Sequence, residues 1–476
     1  MDLRAHRGAS LAAVGAGLAI ALAGAAARAE RPQFASGAEP LTHDGELGHV
    51  RVHYVTTSSD AVPDDDADQD GTPDYVEEVA ELAELTWEDV IARGFRPPVA
   101  DADLVADDGG DGRFDIYLVD LTSADGNFVA EACTEAPEPV HCTGYFAMEN
   151  DLAGFGYGSR TEGISVLTSH EMFHAVQSAY TPDTATAWSE GTAVWNEEQT
   201  FPDQDDYERL VPAFLSRTYR PFDRAGGGFG DAYVYGAALW PTFLDERYGD
   251  GVVRRTWEAS EVAGPGADFL AAVDEVLGED GESLAAAWTE FSRWNLFTGE
   301  RADPDSAYAD AAELGQVTLE AELVGVGETT TSIEGMSARY LPIASPGDDL
   351  WLSGTADDGV VAAFFPDQGD GSLGPGIDLE RDGDVVAAPL PAAGRGILVV
   401  TGVQRGGLPR DVEIGVAPRD PGAGDGSGDE SEDSGCQAAR SGSGRVPGTV
   451  ALLLAALVLS FRRRRRATHH GAGGSQ

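Results

Sequence analysis

The apolar positions fall into distinct textures along the chain. In "HVRVHYVTT", Val50, Val52 and Tyr54 alternate with polar residues, the period of a half-exposed strand. An acidic turn, "DADQDGTPDYVEE", comes next. Beyond it Val76, Val79, Leu82, Val90 and Ile91 recur on a helical period, which predicts a helix to about Gly94. "GRFDIYLVDL" and "GYFAMEN" predict further strands. Helical spacing returns from Ile164 to Tyr180, in "AWSEGTAVWNEEQ", in "GAALWPTFLDERYG" and in "LAAAWTEFSRWNLF". From about Leu314 the texture changes to short apolar runs such as "ARYLPIA", "VVAAFF" and "GILVVTGV", separated by Gly, Pro and Asp, which predict a small β-sandwich. Past Pro418, "RDPGAGDGSGDESEDSG" has too little apolar area to bury and reads as a linker. The fold expected is an α+β domain over 30–312, a β-sandwich-like domain over 313–419 and a linker over 420–445.

The two ends carry patterns of their own. Arg4, His6 and Arg7, an apolar run from Leu11 to Ala26, and Ala27-Arg28-Ala29 predict a secretory signal over 1–29, cut after Ala29. Near the other end Cys436 precedes an apolar stretch from Val446 to Phe461 and an arginine cluster, a short membrane segment with cytoplasmic charge over 446–476. Cysteine, apolar segment and arginines in that order resemble the MYXO-CTERM sorting tail of myxobacterial surface proteins. That resemblance implies processing near Cys436 by a sorting machinery, membrane contact through the C-terminal segment before processing, and display at the cell surface or outer membrane.

Charge narrows the partners. The net charge is -51, from 82 acidic residues against 31 basic ones, and there is no lysine. Such a surface repels phosphate backbones and excludes nucleic acid as a partner. Cys133 and Cys142 close the short loop "CTEAPEPVHC", which in an exported protein predicts a disulfide and leaves Cys436 to the tail.

The candidate chemistry lies in "GISVLTSHEMFHAVQSAY". Positions i and i+4 of a helix share a face, so the imidazoles of His170 and His174 can hold one zinc ion while Glu171 flanks the open coordination site. A catalytic zinc needs one more protein ligand. Downstream, "WSEGTAVWNEE" places Glu190 at the head of a second helix. Here the chain resembles the gluzincin metallopeptidases, the clan of thermolysin and the zinc aminopeptidases. Trp188, Glu190, Gly191, Ala193 and Glu197 match the Trp-x-x-Glu-Gly-x-Ala segment that supplies their glutamate ligand, with one residue fewer between Trp188 and Glu190. The resemblance implies Glu190 as the third ligand, with Glu197 or Glu198 as alternatives. It implies Glu171 as general base and peptide-bond hydrolysis of a protein or peptide substrate. It also places the transition-state donor at Tyr233 in "DAYVYGAALW", with Tyr235 where the family has lysine.

"FAMEN" is similar to the segment whose glutamate, here Glu149, grips a free amino terminus in the aminopeptidases. Phe146 in place of glycine instead favours a substrate-lining edge strand. The stretch from "VHYVTT" to "YGDG" resembles a group of secreted metallopeptidases of myxobacteria, again with a gluzincin fold.

Two acidic turns point to structural calcium. Asp66, Asp68, Asp70, Gly71, Thr72, Asp74 and Glu77 occupy positions 1, 3, 5, 6, 7, 9 and 12 of the calcium-loop pattern, with a strand rather than a helix before them. "DDGGDGRFD" offers Asp107, Asp111 and Asp115 as a weaker second loop. The expectation is therefore an exported zinc metallopeptidase with structural calcium. The rivals are a non-catalytic calcium- and zinc-binding surface or adhesion protein, and a zinc hydrolase acting on a non-peptide amide.

Overall fold

The computed structural model describes residues 31–418 apart from 103, 106, 107, 123, 135–138, 183, 205, 225–230, 250, 265, 267, 304–306, 346–348, 354–358, 383, 384 and 391–393. The expected signal (1–29), linker (420–445) and membrane segment with its sorting cysteine lie outside the described residues. Among the described residues no helix is long and apolar enough to cross a membrane.

The fold is mixed α+β, with three five-stranded sheets among the described residues. The first contains β1 (Leu41–Asp44), β2 (Val50–Tyr54), β3 (Phe114–Val119), β4 (Gly126–Cys133) and β5 (Cys142–Glu149), in the order β1-β2-β3-β5-β4. Strands β2, β3 and β5 run parallel, and the two edge strands run antiparallel to them. Every residue of β3 and β5 is buried, as the near-continuous apolar reading of interior parallel strands requires. "FAMEN" lies in β5, inside the sheet. The expected edge strand is instead β4, whose small and polar residues, "GNFVAEAC", hide its strand pattern.

Helix α1 (Asp74–Ala92) makes the crossover from β2 to β3 and packs with α2 (Arg160–Ser178) on one face of this sheet, around Val52, Val76, Val79, Ile116, Phe146 and Leu167.

The opposite face is closed by the N-terminal segment. Phe34 packs on Tyr117, and Arg31 enters a buried acidic pocket. Its guanidinium donates to Glu131 through Nε and Nη2, both at 2.9 Å, and to Asp101 and Asp115. Asp115 also takes His53 Nε2 at 2.6 Å. Asp111 pairs with Arg51 and Arg113. Of the second acidic loop, Asp111 and Asp115 are thus held by arginines and a histidine, and Asp107 is outside the described residues.

Among the described residues six more helices follow α3 (Thr186–Thr200): α4 (Asp206–Leu215), α5 (Ala232–Gly236), α6 (Leu239–Tyr248), α7 (Val252–Ala263), α8 (Phe269–Glu279) and α9 (Leu284–Trp294). They enclose an aromatic core in which Trp240 lies 5.1 Å from Trp288 and 5.0 Å from Phe291.

The C-terminal all-β region stacks two sheets. One contains β6 (Leu323–Val324), β8 (Ser337–Ala344), β10 (Val360–Pro366), β11 (Ile377–Asp378) and β14 (Arg395–Gly402). The other contains β7 (Gly327–Ile333), β9 (Asp349–Ser353), β12 (Glu380–Asp382), β13 (Val385–Pro389) and β15 (Arg410–Ala417). Leu341, Leu352, Leu398 and Ile414 fill the space between them. The outer face of β8, β10 and β14 is also apolar and joins the helical core through Tyr340, Phe365 and Val399, which explains the unbroken runs "VVAAFF" and "GILVV".

Candidate metal centre

Helix α2 begins at Ser159, whose side chain accepts the N–H of Glu162, and is buried from Gly163 to its end. Its polar residues must therefore be satisfied inside the protein. Thr168 and Ser169 donate to carbonyls one turn back, at 2.7 and 2.6 Å. His170 and His174 face α3, which in turn packs closely on the α5–α6 junction because Gly191 has no Cβ: one there would stand 3.1 Å from the backbone carbon of Ala237.

Three ligand atoms converge. His170 Nε2 lies 3.2 Å from His174 Nε2 and 3.2 Å from Glu190 Oε2, and His174 Nε2 lies 3.5 Å from the same oxygen. These three residues form a group that could hold a metal ion. Each imidazole is aimed by a partner on its far nitrogen: His170 Nδ1 meets Glu197 Oε1 at 2.6 Å and His174 Nδ1 meets Gln177 Oε1 at 3.0 Å. Gln177 cannot turn over, because its Nε2 donates to the backbone carbonyl of Ser189 at 2.9 Å, which leaves its oxygen for the imidazole. Both Nδ1 atoms are thus donors, and both Nε2 atoms look for a cation at one point.

The electrostatics agree. Burial opposes charge on His170, yet Glu190 and Glu197 outweigh it and push the imidazole well above its usual range. Burial likewise opposes charge on His174, and Glu190 overcomes it. Burial would raise Glu190, but the two imidazoles hold it down to about 2, whereas burial pushes Glu197 up to about 7. The pocket calls for positive charge. Of the sequence alternatives, Glu190 is the converging carboxylate, Glu197 backs His170, and Glu198 is outside the group.

Glu171 points to the sheet. Its Oε2 accepts the Phe128 N–H of β4 at 2.6 Å, and its buried Oε1 has no partner. Burial, opposed by both imidazoles, raises its pKa. Gly126 makes room for it: a Cβ there would lie 3.3 Å from Glu171 Cγ.

Tyr233 is not at this centre. Its ring lies under Arg220 (4.2 Å) and Arg217 (5.4 Å) and against Phe214, on the far side of α5. Tyr235 faces the histidines instead, its ring 6.1 Å from that of His170. Burial, then Glu190 and Glu171, hold its phenol protonated far above the usual range. Glu149 is also elsewhere, accepting the Leu121 N–H at 2.8 Å. Gln177, Tyr235 and the Phe128 amide are the site groups that sequence reasoning missed. Gln177 carried a signal, since it lies three residues beyond His174 and shares its face.

The first acidic loop assembles. Asp66, Asp68 and Asp70 each offer an oxygen to one small region, and Gly71 takes the positive φ of 98° that the sharp bend needs. Asp74 Oδ1 accepts the Ala67 N–H at 2.9 Å, tying the loop to α1. Glu77 is raised by burial and then by Asp70, Asp68, Asp74 and Asp66, so five carboxylates crowd together. Thr72 sits among them, its N–H donated to Asp70 at 2.7 Å.

No family model matches the chain, and no curated protein does. Among solved structures, the pre-peptidase C-terminal domain of a collagenase from Bacillus anthracis aligns over 22% of this chain and 100% of its own, with 14% identity and a TM-score of 0.18. PliG of Salmonella Typhimurium, a periplasmic inhibitor of g-type lysozyme, aligns over 21% and 100%, with 19% identity and a TM-score of 0.16. At these scores neither carries an inference about activity.

Proposed function

We propose that the chain is an exported zinc metallopeptidase of gluzincin type, with His170, His174 and Glu190 as ligands. The observation that carries this reading is the triangle of 3.2, 3.2 and 3.5 Å between the three ligand atoms. Tetrahedral zinc with bonds of about 2.0–2.1 Å spaces its ligands about 3.3 Å apart, so the donor set fits the ion in size, chemistry and charge. Zinc bound there would polarise a carbonyl and bring the pKa of its water to about 7.

The rest falls to the chain's own groups. Glu171 is fixed through Oε2 by the Phe128 N–H, which leaves Oε1 to take a proton and return it to the leaving amine. Tyr235, whose ring lies 6.1 Å from that of His170 and whose phenol stays protonated, would donate to a developing oxyanion. Among the described residues strand β4 pairs with β5 on one side only, so its other edge, apart from the Phe128 N–H that holds Glu171, can accept an extended peptide as an added strand. The Cys133–Cys142 disulfide, which joins β4 to β5, suits an oxidising compartment and supports export.

With zinc, the chain is expected to cut an unfolded protein; a chelator should stop the reaction and added zinc restore it. A substrate left intact after long incubation would favour the second reading, a non-catalytic metal-binding surface protein. One observation speaks for that alternative: His170, His174, Glu190 and Glu171 are each no more than 2% exposed.

Two further outcomes follow from the metal sites. Gln177→Leu should weaken zinc about 10- to 100-fold by removing the acceptor that aims His174, and Gln177→Glu should recover most of the loss, as read by competition with a zinc indicator. Calcium at a hundredfold excess over its Kd would add about 2.7 kcal/mol. Its selective removal should therefore lower the melting temperature by roughly 5 °C. An unchanged curve would argue against calcium at Asp66, Asp68 and Asp70.

A further inference from the structure

A second candidate site lies away from the metal centre, where the helical half meets the β region. A cleft of about 760 Å³ opens there, lined on one side by Arg301 and Gln316 and on the other by β8, β14 and the loop 367–373. Its size suits a short peptide.

Arg301 is the anomaly in this cleft. In a chain so rich in acid, each described arginine from Arg31 to Arg293 lies against a carboxylate. Arg301 makes no such pair among the described residues. Its Nε donates to the carbonyl of Leu296 at 3.0 Å, which fixes the guanidinium, and its buried Nη2 has no acceptor. Gln316 is in the same condition. Its side chain lies across the turn at Gly299, where φ is +60° and a Cβ would meet Gln316 Cγ at 2.7 Å, and its buried Nε2 also lacks an acceptor.

Arg301 and Gln316 both line this cleft, and each keeps an unpaired N–H donor buried just behind its wall, which is costly unless something accepts from it. The planar fork of an arginine matches a carboxylate. The rim of the cleft has the opposite character: Glu300, Asp303, Asp367 and Asp370 line it, and a polyanion would be repelled. A single carboxylate accompanied by positive charge satisfies both parts.

We propose that this cleft binds the free carboxy terminus of a basic peptide, with the terminal carboxylate on Arg301 and Gln316 and the basic side chains toward the acidic rim. The proposal does not rest on the metal centre, and a chain with no peptidase activity would bind in the same way.

The test uses the full chain and a fluorescent tetrapeptide, Lys-Ser-Lys-Leu, with a free or an amidated end, its integrity checked by mass spectrometry. Anisotropy should show the free acid binding at least about 10-fold more tightly than the amide, the scale for losing a charge-assisted pair. Replacing both lysines by glutamate should weaken binding by a similar factor. Arg301→Gln should bring the free acid to the affinity of the amide. Equal affinity of acid and amide for the unaltered chain would overturn the proposal, whatever the variant does, and so would full binding by a folded Arg301→Gln chain.

Discussion

Glu171→Gln is expected to leave zinc bound and to lower kcat for a peptide substrate by about 10²- to 10⁴-fold, the usual contribution of a positioned general base. The substitution is nearly isosteric, and the amide oxygen can still accept the Phe128 N–H that now binds at 2.6 Å. What disappears is the basicity of Oε1, the oxygen with no partner in the closed site. The ligand triangle involves other atoms and should keep its zinc stoichiometry. A folded, zinc-loaded variant that cuts at the unaltered rate would remove Glu171 from the chemistry. Loss of zinc together with activity would show Glu171 supporting the metal rather than the proton transfer.

Arg31→Ala should cost about 3–5 kcal/mol of stability, the range for breaking a buried charge network by removing one partner. Among the described residues it is the one guanidinium paired with Asp101, Asp115 and Glu131, and without it three buried carboxylates face one another with only the His53 imidazole, on Asp115, beside them. Burial already raises Asp101 and Glu131 despite Arg31. A carboxylate whose pKa is higher folded than unfolded binds protons on folding. The deficit should therefore shrink as pH falls toward the acid range. Denaturant titration at two pH values reads both effects. Arg31 also bears on the metal centre, because Glu131 and Phe128 belong to the same edge strand: the arginine holds β4 on one face of the sheet while the Phe128 N–H holds Glu171 on the other. A variant as stable as the parent would mean that the strap contributes nothing.

The parts of the site that were legible in the sequence are those set by local period. The shared face of His170 and His174 follows from helical spacing and Glu171 from the motif they frame, whereas Glu190 is reached through the resemblance of its segment to the gluzincin glutamate helix. Which tyrosine faces the histidines is not set by the segment alone. Each helical residue turns about 100°, so Tyr233 and Tyr235 lie about 200° apart on α5, and it is the ring of Tyr235 that lies near His170. Strand order is not a local property. The apolar run of β5 reads as a strand whether it lies inside a sheet or at its edge, and only pairing with β3 and β4 decides. In the second acidic loop Asp115 pairs with Arg31, 84 residues away in the chain, and no local pattern reports such a partner. Gln177 needed its neighbour's backbone: the Ser189 carbonyl sets the amide, and the amide sets His174.

Zinc-edge X-ray absorption on the purified chain, combined with metal analysis, tests the account most directly. It should find one zinc per chain with two imidazole nitrogens and a carboxylate oxygen at about 2.0–2.2 Å, a further light-atom ligand from solvent, and loss of the carboxylate signal in Glu190→Ala. A chain that takes up no zinc, or a zinc shell unchanged in Glu190→Ala, would contradict it.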